Sequence, residues 1–141
     1  MSSVIRYGDS GPIDVRLRIS GLWVAMLFVF AYVDLFSLYR PDTRADLDAG
    51  RLAGFDVNQT FLLLTTLYIV IPSLMVYLTL VMRPRTNRLV NIIVAAGYGL
   101  TIIGGAVGEW NYYLLGSVIE VILLALVIHH AWTWPKVTAR P

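Results

Sequence analysis

The 141-residue chain contains no cysteine. A disulfide, a thiolate nucleophile, an iron–sulfur ligand and a thiolate zinc site are therefore all excluded. Charge is also scarce, at 14% of residues against about a quarter in an ordinary soluble domain. No serine–histidine–acid arrangement, phosphate-cradling loop or haem-ligand pair stands out. Gly97-x-Gly99 is not a dinucleotide fingerprint, because nothing strand-like precedes it. What the chain has in excess is apolar: 57% of residues are hydrophobic and the mean hydropathy is +0.70. A single small soluble domain exposes too much of its surface to hide that excess. Soluble, disordered and disulfide-rich secreted classes all fail, and a multi-pass membrane protein remains. The pI near 9.1 does not argue for nucleic acid, since the net charge is only +2 and the basic residues flank apolar segments.

Four apolar runs predict four transmembrane helices, at about 19–39, 57–82, 89–107 and 112–134. A span needs roughly 20 residues. The second run has length to spare and holds Pro72, which removes a backbone donor and favours a bend. The expected fold is all-α, an up-down-up-down bundle over residues 19–135, with a terminal segment 1–18 and a tail 136–141. Arg6, Arg16 and Arg18 mimic the basic start of a signal peptide. The apolar run then continues for a full span with no small-x-small cleavage site, so no cleavage is expected.

Arginine and lysine placement sets the expected orientation. Arg6, Arg16, Arg18, Arg83, Arg85, Arg88, Lys136 and Arg140 fall on one side. Only Arg40, Arg44 and Arg51 fall on the other, diluted by Asp42, Asp46, Asp48 and Asp56. Both termini are thus expected in the cytoplasm, with the protein in the inner (plasma) membrane. The loop over residues 40–56 is read as solvated and partly helical, with a lid over the external mouth as the alternative.

Two patterns speak to packing. Gly97, Thr101, Gly104 and Gly108 fall on one stripe of the third span, and small stripes let helices approach in lipid. Packing within the bundle is the favoured reading, and a homo-oligomer seam is the alternative. Trp110, Tyr112 and Tyr113 mark one interface, and Trp23, Trp132 and Trp134 the other, as an aromatic belt.

Two acids inside the spans carry the functional argument. Asp34 lies about 7 Å outward of the middle of its span, and Glu120 about 4–5 Å outward of its own. A charge at such depth costs several kcal/mol at least, so these side chains are expected to face the bundle interior. Thr65, Thr66, Tyr68, Tyr98 and Thr101 fall in the same layer, with Glu109 and Asn111 at the external turn. Together they are the candidate lining of an outward cavity for a lipophilic small molecule. The threonines read equally as interhelical hydrogen-bond donors. His129 and His130 are adjacent, so they do not share a helix face and make a poor metal pair. No metal or cofactor is expected.

Several segments carry a family resemblance. Leu22-Trp23-Val24-Ala25-Met26 leads to Tyr32-Val33-Asp34-Leu35-Phe36. Ile71-Pro72-Ser73-Leu74-Met75, Thr86-Asn87-Arg88-Leu89-Val90-Asn91 and Val118-Ile119-Glu120-Val121-Ile122 follow in order, and the last span ends Ala131-Trp132-Thr133-Trp134-Pro135. From Leu22 to Pro135 the chain resembles a bacterial family of small four-helix membrane proteins known only as a domain of unknown function. The resemblance implies the four-span fold and no activity, cofactor or catalytic residue. His129-His130 stands where such a family would carry aromatic residues, which weakens a metal role further.

Three functions fit the sequence. The first is a binding or accessory protein whose outward acidic pocket takes a lipophilic molecule or a membrane partner. The second is an enzyme using Asp34 and Glu120 for acid–base chemistry on an isoprenoid-like or sterol-like substrate. The third is a proton-coupled transporter acting as an oligomer.

Overall fold

A computed structural model describes residues 12–134. The lead-in through Gly11 with Arg6, and the end of the chain from Pro135 with Lys136 and Arg140, lie outside the described residues. Five helices account for about 80% of the fold. They are α1 (Val15–Ser37), α2 (Pro41–Asp48), α3 (Gln59–Val81), α4 (Pro84–Gly105) and α5 (Asn111–Trp132). All but α2 are long and apolar enough to cross a membrane, and the protein is a multi-pass helical membrane protein.

Local chemistry sets the helix starts. The Asp14 carboxylate accepts from the Arg16 N–H at 2.8 Å and caps α1. Asn58 caps α3 in the same way, accepting from the Phe61 N–H at 2.9 Å. Proline opens α2 and α4, where its missing donor is harmless. These polar starts carry α1 and α4 beyond the apolar runs at 19 and 89. Between α2 and α3 the loop also makes a two-stranded hairpin that periodicity did not reveal, β1 (Arg51–Leu52) against β2 (Phe55–Asp56). Ala53 and Gly54 both have positive φ, +51° and +82°, as its tight turn requires.

Arginines mark one end of the bundle. Arg16 Nη1 donates to the Leu80 carbonyl at 3.1 Å. Arg88 donates to the Ala131 and Trp132 carbonyls, each at 3.0 Å. The starts of α1 and α4 therefore meet the ends of α3 and α5, and the arginines satisfy carbonyls that a helix end leaves free. This is the terminal end; α2 and the hairpin lie at the loop end.

The core is built mainly from the α1–α5, α4–α5 and α1–α3 contacts. Helices α3 and α4, joined by only Met82 and Arg83, pack little against each other. Towards the terminal end the centre is polar and fully paired. Trp23 Nε1 donates to Asn91 Oδ1 at 2.7 Å, and Thr79 Oγ1 donates to the same oxygen at 3.3 Å. Asn91 Nδ2 donates to the Asn87 carbonyl at 2.9 Å and to its Oδ1 at 2.6 Å, while Asn87 Nδ2 donates to the Thr79 carbonyl at 2.6 Å. All four side chains are fully buried. Trp23 is thus a core residue and not a belt residue. Its apolar body fills the centre while its N–H finds the acceptor that burial demands. Trp134 is buried too, beneath the Arg16 guanidinium at 5.9 Å; Trp132 alone of the terminal-end tryptophans is exposed.

The glycine stripe departs from its expected role within the bundle. A methyl group at Gly97 or Gly104 would meet nothing within 4 Å. The buried face of α4 runs through Asn87, Asn91, Ala95, Tyr98 and Ile102, and the helical repeat sets the stripe to one side of it. Gly108 is not in the helix; it makes the α4–α5 turn at φ +82°. The close approach occurs instead at Gly116, whose missing side chain leaves room for Val33 of α1.

Candidate functional site

At the loop end a cavity of about 770 Å³ opens among the helix ends. Its polar lining comes from Asp34 on α1, Arg40, Asp42 and Asp46 at and on α2, and Glu109 after α4. Its apolar wall includes Leu35, Leu38, Phe61, Gly105 and Tyr113. Helix α2 and the hairpin contribute Thr43, Leu52 and Ala53, so the loop forms part of the cavity wall.

Arg40 fastens that loop to the bundle. It holds the Asp42 carboxylate through two bonds, Nε at 3.1 Å and Nη2 at 2.5 Å. Its Nη1 donates to Glu109, and its guanidinium lies 4.6 Å from the centre of the Trp110 ring. The hydrogen bond with Asp42, reinforced by Glu109, raises the Arg40 pKa above that of an ordinary arginine. Reciprocally, the Arg40 guanidinium holds the Asp42 carboxyl below its usual range. The cavity's one arginine is thus shared between two carboxylates. Asp46 has a looser partner, Arg51 at 3.9 Å.

Glu120 sits deeper and does not line the cavity. It is 3% exposed, and among the described residues no group donates a hydrogen bond to it. It lies four residues below Gly116, about 6 Å along α5, on the side that packs against α1 beside Val33. Asp34, the residue after Val33, is within electrostatic reach of Glu120, and Tyr68 and Tyr113 lie in the field of both acids.

A second cluster bridges α3 and α4. Tyr68 Oη and Thr101 Oγ1 are 2.6 Å apart, and the Tyr98 hydroxyl donates to the Tyr68 carbonyl. Thr65 and Thr66 instead bond back to their own helix, at the Phe61 and Leu62 carbonyls. Asn111 is exposed at the start of α5. The layer expected from depth therefore separates. Asp34 and Glu109 line the cavity, Glu120 lies beneath it, and Tyr68, Tyr98 and Thr101 form the bridge. Thr65, Thr66 and Asn111 belong to none of these.

Sequence reasoning passed over Arg40 as one of several loop charges, and only its chain neighbour Asp42 hinted at the clamp. Among the described residues no group of three metal-ligating side chains is arranged to hold an ion, and the rings of His129 and His130 stand edge to face.

The whole spanning region, from the α1 cap at Asp14 to beyond Trp134, falls within one family model, which matches residues 14–140. The chain belongs to the family of unknown function DUF6326. No curated protein and no solved structure matches it. For this DUF6326 member the site chemistry must therefore be argued from its own side chains.

Proposed function

We propose that this DUF6326 protein is a ligand-binding protein of the inner membrane, whose loop-end cavity takes a lipophilic small molecule. The carrying observation is the cavity of about 770 Å³, in which carboxylates and an apolar wall meet beside the unpaired, buried Glu120. Pockets for small molecules are typically concave and largely apolar, with a few polar groups that fix orientation. The volume lies within the roughly 300–1,000 Å³ such pockets span. In this reading the loop end faces outward and both termini are cytoplasmic, because the basic residues concentrate at the terminal end. The open flank of α4 at Gly97 and Gly104 supports contact with a second copy.

Native mass spectrometry of the protein extracted gently from its own membrane tests both points. A discrete co-purifying lipophile that is lost in Asp34→Asn or Glu120→Gln supports the pocket. A protein carrying only bulk lipid, with both variants merely destabilised, refutes it. The same spectrum reads the number of copies.

A further inference from the structure

We infer that the ligand of this cavity is an amphiphilic cation, an onium centre on an apolar body, held by Asp34 with Glu120 as a second anion behind it. The inference rests on the pocket reading above and adds the ligand's charge. Four carboxylates line the cavity, Asp34, Asp42, Asp46 and Glu109, against the single cation Arg40. Arg40 is already engaged by Asp42 and Glu109, and Asp46 has Arg51. Asp34 faces the cavity with no cation among the described residues paired to it.

Glu120 is the independent observation. It is 3% exposed, without a hydrogen-bond donor among the described residues, and within electrostatic reach of Asp34. A buried carboxyl without a partner is unfavourable, and a cation brought next to it supplies the missing interaction. An anionic ligand meets like charge on both sides. A neutral ligand leaves both acids as they were. A bare divalent ion is a poor fit as well, because hard cations take six or more oxygen ligands and the rest of this wall is hydrocarbon. Leu35, Leu38 and Phe61 instead suit an apolar body, and the Tyr113 ring adds a face that attracts positive charge.

The test compares tetraphenylphosphonium, tetraphenylborate and triphenylphosphine oxide, which carry positive, negative and no charge on similar phenyl shells. Binding is measured by equilibrium dialysis against the full chain in phosphatidylcholine nanodiscs, with empty nanodiscs subtracted. The expected result is saturable binding of the phosphonium, none of the borate, and a loss of at least about tenfold in Asp34→Asn and in Glu120→Gln. Asp34 is exposed, so its isosteric variant keeps the test valid if Glu120→Gln fails to fold. Phosphonium binding indifferent to both substitutions overturns the inference. If all three probes bind alike, and a Gly105→Trp variant that fills the cavity abolishes this, the pocket stands and the cationic class fails. If no probe binds saturably, the pocket reading falls with it.

Discussion

The Tyr98 hydroxyl donates to the Tyr68 carbonyl. That carbonyl lies four residues before Pro72, so it is the one whose helical donor the proline ring removes. In a bilayer no water replaces the lost bond, and a neighbouring helix must do so. Tyr98 on α4 thereby repairs α3, and its ring packs on Tyr68 at 4.7 Å between centres.

This pairing makes a double-mutant prediction. Tyr98→Phe should lower stability by about 1–2 kcal/mol, the scale of an interhelical hydrogen bond in lipid. In a Pro72→Ala background the backbone donor returns, and the same substitution should cost much less. Unfolding titrations of the four proteins in one micelle system measure the coupling. An equal cost of Tyr98→Phe in both backgrounds would rule out the repair.

The buried amide network gives a second prediction. Asn91→Leu removes the acceptor of Trp23 and the partner of Asn87, leaving buried donors unpaired. Each such group costs about 1–3 kcal/mol. The expected loss exceeds that of Trp23→Phe, which removes one donor. Thermal melts in lipid nanodiscs rank the two variants, and the reverse ranking would mean that packing of the indole outweighs the network.

Glycine substitutions separate contact from open space. Gly116→Ala drives a methyl group into Val33 and should destabilise by about 1–3 kcal/mol, relieved by Val33→Ala. Gly97→Ala meets nothing, so within one chain it should stabilise α4 by up to about 1 kcal/mol. Melting temperature and copy number, read side by side, distinguish an open flank from an occupied one. A Gly97→Ala protein that is less stable and has fewer copies would show that a second chain packs there.

The Arg40 clamp predicts an acid limit for the loop. The Asp42 carboxyl is lowered, first by its hydrogen bond from Arg40. A group whose native pKa is depressed adds stability above its unfolded value and loses it as pH falls through the native one. The clamp should therefore hold at neutral pH and release only below the usual aspartate range. A fluorine label on Trp110, which lies against Arg40, reports this as a resonance shift. Arg40→Ala should show the released resonance already at neutral pH, and a label that moves near pH 7 in the natural protein would contradict the assignment.

Within the sequence, the four apolar runs, the stops at Pro84 and Gly108, the depth of Asp34 and Glu120 and the family segments were all legible, because each is a property of local composition in a solvent that forbids unpaired backbone. Composition alone determined a multi-pass helical membrane protein. Tertiary structure decided which partners those residues find. Trp23 carries the signature of a belt residue and becomes a core donor, because Asn91 from another helix reaches it. The glycines of α4 carry the signature of a helix seam and face open space, while the unremarkable Gly116 takes the close contact. Arg40 and Glu109 are far apart along the chain and meet only because α1 ends where the α4–α5 turn begins. Periodicity records which way a side chain points from its own helix; what stands opposite depends on how the helices pack, and that is a property of all of them together.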